Sequence, residues 1–215
     1  MRTSKSVGLA CVLAMILCSS AAFGSPPAWS PSTAIYFLDG GLSVSSAPDV
    51  FSDYWSLGFN VGGGIGYAAT PVVHVLASFR YNRFGLDEDE ILASLSAVGF
   101  NVAGVTVSGG AATTITGMAE LRLLLPTGGS AASPYFSGGL GLFRISADDV
   151  TATGPGGTAR INGSSETDLC VAFGAGLRFH AGPHTRLLLG GMYTIGFSEG
   201  QSTQYFPVSV GFEFH

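Results

Sequence analysis

The sequence predicts an all-β chain: an eight-stranded antiparallel up-and-down barrel, closed on itself and transmembrane. Three observations predict it. Along eight stretches, apolar residues alternate with small or polar ones at every second position, the period of a β-strand. The chain has 47% hydrophobic and 11% charged residues and a mean hydropathy of +0.42, yet no internal run is long enough for a spanning helix. Finally, the connections between stretches alternate between long polar segments and tight turns. Soluble domains carry about 25% charged residues, so a chain this apolar has either a surface that meets lipid or a large sandwich core.

The first 24 residues read as a secretory signal: Arg2 and Lys5 as the positive region, Val7 to Leu17 as an apolar region too short for an anchor, and Ala22-Phe23-Gly24 as the cleavage site. Leu17 is too large to precede a lipidated Cys18. Cleavage removes Cys11 and Cys18 and leaves Cys170 alone, so no intrachain disulfide can form. It also removes Arg2 and Lys5, taking the net charge from −5 to −7 and leaving arginine as the one strong base. Such a chain has no basic surface for nucleic acid. Residues 25–33, with Pro26, Pro27 and Pro31, form an extended lead-in to a barrel domain over 34–215.

The first strand runs over about 34–44. The second, about 54–68, sets Trp55, Leu57, Phe59, Val61, Ile65 and Tyr67 on one face against Ser, Gly and Asn on the other. After the Thr70-Pro71 turn, the third (about 72–84) points Val73, Val75, Ala77, Phe79 and Tyr81 outward and His74, Ser78, Arg80 and Asn82 inward. A long connection over 87–110 follows. Asp87 and Glu90 have capping-box spacing, and Ile91, Leu92 and Leu95 follow at helical intervals, which predicts a short helix. Residues 100–107 alternate again, as a strand extending beyond the membrane. The fourth strand (about 112–125) faces Ile115, Ala119, Leu121 and Leu123 out and Thr114, Thr116, Met118, Glu120 and Arg122 in. In the fifth (about 135–146), Leu140 and Leu142 conflict with Phe143 and Ile145, which a β-bulge would reconcile. A polar, Gly-rich segment over 147–165 leads to the sixth strand (about 166–180), then the seventh (185–197) and the eighth (about 204–214). The last puts Phe206, Val208, Val210, Phe212 and Phe214 on one face and Tyr205, Pro207, Ser209, Gly211 and Glu213 on the other.

Connections after the odd strands are long and those after the even strands short, the asymmetry of outer-membrane barrels. Aromatic residues fall in two belts: Tyr36, Tyr67, Phe136, Phe179, Phe212 and Phe214 toward the short-turn end, and Trp55, Tyr81, Phe197 and Phe206 toward the long-loop end. The inward faces carry the charges. Asp39, Glu120, Asp168 and Glu213 can meet Arg80, Arg122, Arg178 and Arg186 as a structural network that fills the lumen, since eight strands leave little more room than their side chains need.

Other motifs carry no chemistry. The Gly62-Gly63-Gly64-Ile65-Gly66 run lies within a strand with no following helix, which removes a phosphate-loop reading. His74, His180, His184 and His215 all map to the short-turn end, so no Ser/His/Asp set assembles on the outside. The chain is therefore expected to be no enzyme and to bind no metal or cofactor. The long loops are acidic, with Asp49, Asp53, Glu88, Asp89, Glu90, Asp148, Asp149 and Glu199 among them. They read as a solvated rim, as a bridge through divalent cations to lipopolysaccharide phosphates, or as a dock for a basic extracellular partner.

With this pattern, signal and terminal strand, the chain resembles the small eight-stranded outer-membrane β-barrel family, which includes the OmpA membrane domain and OmpX. The resemblance covers the whole chain after the signal. It implies residence in the outer membrane among lipid and lipopolysaccharide. It also implies recognition by the barrel-assembly machinery through the terminal aromatics, here Phe212 and Phe214, although His215 follows where the family ends on Phe. The expected role is structural or surface interaction through 87–110 and 147–165. The alternatives are a narrow channel and a secreted soluble β-sandwich.

Overall fold

The computed structural model describes residues 34–215 except 56, 98, 100, 129, 130, 156 and 199–201; the predicted signal and Pro-rich lead-in lie outside the described residues. In chain order the elements are β1 (Ala34–Ala47), α1 (Asp49–Tyr54), β2 (Leu57–Ala68), β3 (Val73–Phe84), α2 (Glu88–Ala97), β4 (Thr106–Gly109), β5 (Ala112–Leu124), β6 (Ala132–Ala147), β7 (Val150–Gly154), β8 (Gly157–Ile161), β9 (Ser164–His180), β10 (Thr185–Phe197) and β11 (Ser202–Phe214).

Eight of these strands form a closed antiparallel barrel in the order β1-β11-β10-β9-β6-β5-β3-β2, with β2 returning to β1. Closure is made by β1, which pairs with β2 from Ala34↔Tyr67 to Val44↔Leu57 and with β11 from Tyr36↔Phe214 onward. Neither β1 nor β11 is left with a free edge. No helix among the described residues is long and apolar enough to cross a membrane.

The period-two pattern decides which face meets what. Along β5 burial alternates without interruption from Ala112 to Leu124. Along β11, Tyr205, Pro207, Gly211 and Glu213 are buried while Phe206, Val208, Val210, Phe212 and Phe214 are exposed. A sandwich would bury the large apolar side chains of these strands. Here Phe59, Phe173 and Phe212 are 50%, 56% and 49% exposed, so the greasy face is the outer one and the sandwich reading is excluded.

Three expectations need correction. Strand β6 has no bulge: its register runs unbroken against both β5 and β9. Leu140 and Leu142 point outward while Phe143 lies fully buried inside, because this lumen accepts large apolar side chains as well as polar ones. Trp55 does not open β2 on the lipid face. Residues 49–54 fold as α1, and Trp55 sits at its C-cap, half-buried against Phe51 with ring centroids 6.0 Å apart. The alternation over 100–107 does not extend a barrel strand beyond the membrane; the strand there is β4, in a sheet of its own. β4, from the 87–110 connection, pairs with β7, from the 147–165 segment, and β8 completes a three-stranded sheet outside the barrel.

The predicted helix forms at 88–97, with the Glu90 amide donating to the Asp87 side chain at 3.2 Å, as the capping spacing requires. The glycine run of β2 also has a packing reason. A Cβ at Gly62 would stand 3.0 Å from Asp39 Oδ1 and 3.3 Å from Arg80 Cζ, and one at Gly64 would stand 2.7 Å from the Phe37 ring. Bare backbone there makes room for an interior ion pair and an aromatic ring.

Candidate functional site

The lumen is filled in layers. Nearest the short-turn end lies a charged layer. Arg122 on β5 donates to Glu213 Oε2 at 2.8 Å, and Arg178 on β9 pairs with Glu213 Oε1 at 2.8 Å. Glu120 lies 3.5 Å from Arg122. The Arg122 guanidinium is flanked by the Phe37 and Tyr135 rings, at 5.2 and 4.9 Å from their centroids, a cation–π setting that is strengthened by desolvation. Glu213 is fully buried. A buried carboxylate persists only when paired, and here two arginines hold it.

The next layer is bonded laterally. Arg80 meets Asp39 with Nη1 at 2.9 Å from Oδ1 and Nη2 donating to Oδ2 at 3.0 Å, and it also donates to Asn60 and Ser209 at 3.1 and 2.9 Å. Asn60 donates to Ser43 at 3.2 Å, Ser43 to Asn82 at 2.8 Å and Asn82 to Thr114 at 2.9 Å. These residues come from β1, β2, β3, β5 and β11, so the bonds tie strands together across the interior. Between the two polar layers is a cavity of about 30 Å³ lined by Asp39, Arg80, Glu120, Arg122, Tyr135 and Ser209 among others, room for about one water molecule.

The outermost layer is apolar. Phe84, Phe143, Tyr205, Met118 and Cys170 are buried together, and Phe51 of α1 drops onto them from above. Phe51 meets Phe84 edge-on at 5.2 Å, Phe84 meets Tyr205 at 5.9 Å, and Tyr205 stacks on Phe143 at 6.2 Å.

Of the eight residues expected in the interior network, the structure brings six together: Asp39 with Arg80, and Glu120, Arg122, Arg178 and Glu213 with one another. Two lie apart from it. Asp168 has the inward parity but stands near the outer rim, where it accepts from the Ser198 hydroxyl at 2.9 Å. Arg186 is opposite Glu213 in register, yet Glu213 is occupied by Arg122 and Arg178. Arg186 donates instead to the carbonyls of Gly182 and Thr185, at 2.6 and 3.0 Å. Sequence parity missed Phe51, Phe84 and Phe143; only the apolar conflict at 140–145 hinted that the lumen is not polar throughout. Among the described residues no cluster of His, Cys, Asp or Glu has metal-ligand geometry. Phe212 and Phe214 face outward at the short-turn end.

The long loops form one linked cap. The Trp55 indole donates to the Gly110 carbonyl at 2.6 Å, the Asp87 amide to the Tyr54 carbonyl at 2.8 Å, and the Tyr54 hydroxyl to Ser94 at 3.2 Å; these join the β1–β2 loop to the β3–β5 connection. That connection is joined in turn to β7 by the β4 ladder and by the Gly110 amide donating to the Asp149 carbonyl at 3.0 Å. At the base of the β7–β8 hairpin, Asp149 accepts from the Gly163 amide at 2.6 Å and is paired with Arg160. Those two partners, the amide first, hold the Asp149 carboxyl below its ordinary range.

A model of the outer membrane protein β-barrel domain family matches residues 10–214. The chain belongs to that family, and it resides in the outer membrane. Among solved structures it resembles Neisserial surface protein A at 16% identity and a TM-score of 0.58, covering 84% of this chain and 96% of that one. It also matches Ail, the attachment invasion locus protein of Yersinia pestis (14% identity, TM-score 0.48, 85% and 99% covered), and the N-terminal β-barrel domain of Pseudomonas aeruginosa OprF (16%, 0.41, 85% and 98%). Likeness at this identity speaks for the fold alone. No curated protein matches the sequence.

Two outcomes follow. Glu213→Gln leaves Arg122 and Arg178 facing a neutral amide in the interior, and urea unfolding in lipid vesicles should show a loss of about 3–5 kcal/mol; a loss below about 1 kcal/mol would mean the triad contributes little. For Asp149 the folded pKa is depressed, so its contribution is present above the unfolded carboxyl pKa and is lost as pH falls through the folded one. The Gly163 amide resonance should therefore titrate below the ordinary carboxyl range and stop titrating in Asp149→Asn.

Proposed function

We propose that this barrel is a surface-interaction protein of the outer membrane: a lumen closed to solutes supports an ordered external cap that contacts partners. The observation that carries the reading is the stack of interior layers, which leaves about 30 Å³ between the ionic layers beneath a packed aromatic lid. A solute path needs continuous space, whereas a scaffold for loops needs rigidity, and cross-strand ion pairs and ring packing supply rigidity.

The cap is the working surface of this reading. Its loops are fastened to one another by a backbone ladder and to the barrel by Phe51 and Trp55. They present exposed carboxylates, Glu88, Asp89 and Glu90 on the first turn of α2, that suit a basic extracellular partner. No catalytic role is assigned: His74, His180, His184 and His215 lie toward the short-turn end, away from the cap. Phe212 and Phe214 are offered as the signal read by the assembly machinery. Their outward, exposed rings support this.

Planar-bilayer recording tests the closed lumen. The refolded protein should give no discrete conductance steps, and Phe143→Ala with Phe84→Ala should leave the charged layers still blocking. Steps in the unaltered protein that change when Arg80 or Glu120 is replaced would establish a narrow channel instead.

A further inference from the structure

At the short-turn end of the lumen, basic side chains outnumber acids. The inward parity of β9 ends on Arg178 and His180, β10 begins with Arg186, and His215 follows Glu213 at the foot of β11. The short connections 69–72, 125–131 and 181–184 contain no Asp or Glu. Arg122 and Arg178 share Glu213, and Glu120 lies beside Arg122. Arg186 forms no ion pair among the described residues. Its Nη1 is spent on two turn carbonyls, and its Nε is buried without a hydrogen-bond partner. Counting side chains, three guanidiniums face two carboxylates. Across the lumen, opposite Arg122 in register, His74 is 3% exposed and its Nδ1 also lacks a partner.

We propose that this mouth binds a tetrahedral oxyanion from the periplasm, phosphate or the phosphate group of a soluble solute, between Arg178, Arg186 and His215. The register sets the geometry. Arg186 lies opposite His180 and Glu213, and Arg178 lies opposite Leu188. The two arginines are therefore diagonal neighbours on one face of adjacent strands, with backbones about 8 Å apart. Two guanidiniums this close repel unless an anion lies between them, and their forked donors match phosphate oxygens. Both have inward parity, so the ligand arrives from water and not from the bilayer. The site lies at the end of the barrel away from the cap, and it stands whether or not the cap contacts a partner.

His215 gives the site a pH dependence. Its amide donates to the His184 carbonyl at 3.1 Å, which holds it against the β9–β10 turn. Arg178 Nη2 is 3.3 Å from His215 Nε2. An arginine N–H can only donate, so Nε2 accepts there. The ring is then neutral, with its proton on Nδ1, 3.8 Å from Glu213 Oε1. Four groups face this ring: Arg178 from β9, Arg186 from β10, Glu213 from β11 and His184 from the turn. Burial first, then Arg178, holds the imidazole below its ordinary value. A seated oxyanion favours the charged ring, and a second proton turns Nε2 into a donor toward it. The bound form therefore takes up protons, and affinity rises as pH falls.

The test is titration of the refolded barrel in neutral detergent micelles with sodium sulfate, at ionic strength held constant with chloride. Sulfate is a tetrahedral oxyanion whose own charge does not change over the pH range used. The Nε–H resonances of Arg178 and Arg186 and the His215 amide should shift and saturate, while the Gly163 amide in the cap stays unmoved. Arg186→Gln should weaken binding by about tenfold or more, and Arg186→Lys should keep part of it. Arg144→Gln, at an exposed position on β6, should change nothing. Between about pH 7.5 and about pH 5.5 the affinity should rise severalfold, and His215→Gln should remove most of that rise. Heat-shifted gel mobility verifies that each variant is folded, and His215→Gln, at the partly exposed foot of β11, carries the test if Arg186→Gln does not fold. Shifts that stay linear in sulfate would overturn the proposal, as would undiminished binding in Arg186→Gln or a pH rise that survives His215→Gln. Displacement of sulfate by phosphatidylglycerol in the micelle would also overturn it, since the site would then belong to a lipid headgroup.

Discussion

Backbone pairing in a medium without water governs this molecule. In hydrocarbon an unpaired peptide group costs several kcal/mol, so a sheet that crosses must have no edge. The contact that satisfies this is β1 lying between β2 and β11. Once the sheet is closed, each side chain has one of two destinations, and the sequence alternates accordingly. The apolar set goes out to lipid, and whatever remains must fill a lumen too narrow to stay wet.

The filling is graded along the axis. Ion pairs occupy the end near the short turns, an amide and hydroxyl chain the middle, and aromatic rings the end beneath the loops. Within the ionic layers each arginine is set against a carboxylate, the arrangement in which a buried charge is tolerated. The aromatic layer also links barrel and loops, because Phe51 and Trp55 come from the first loop and pack on rings set by the strands. The rigidity of the wall is thereby passed to the cap.

Much of this was legible in the residues. Strand existence, parity and the short turns follow from a period of two, which is local and survives on one chain without an alignment. The capped helix after Asp87 was legible for the same reason. What was not legible is what depends on depth or on distant partners. Asp168 has the right parity and the wrong height. Arg186 has the right neighbour, already taken. The β4–β7 ladder joins segments some forty residues apart, and no local pattern announces it. Phe143 looked like a register fault because a polar lumen was assumed, and Trp55 looked like a belt residue because α1 is too short to leave a helical period.

The central claim is that alternate side chains of one closed sheet face lipid and lumen. Single spin labels at successive positions 206–212 of β11, in a Cys170→Ser protein lacking residues 1–24 and refolded into vesicles, test it most directly. Collision with oxygen should peak at Phe206, Val208, Val210 and Phe212 and fall at Pro207, Ser209 and Gly211, where a water-soluble nickel reagent should also be excluded. A flat profile, or nickel access that rises at the even positions, would contradict the account.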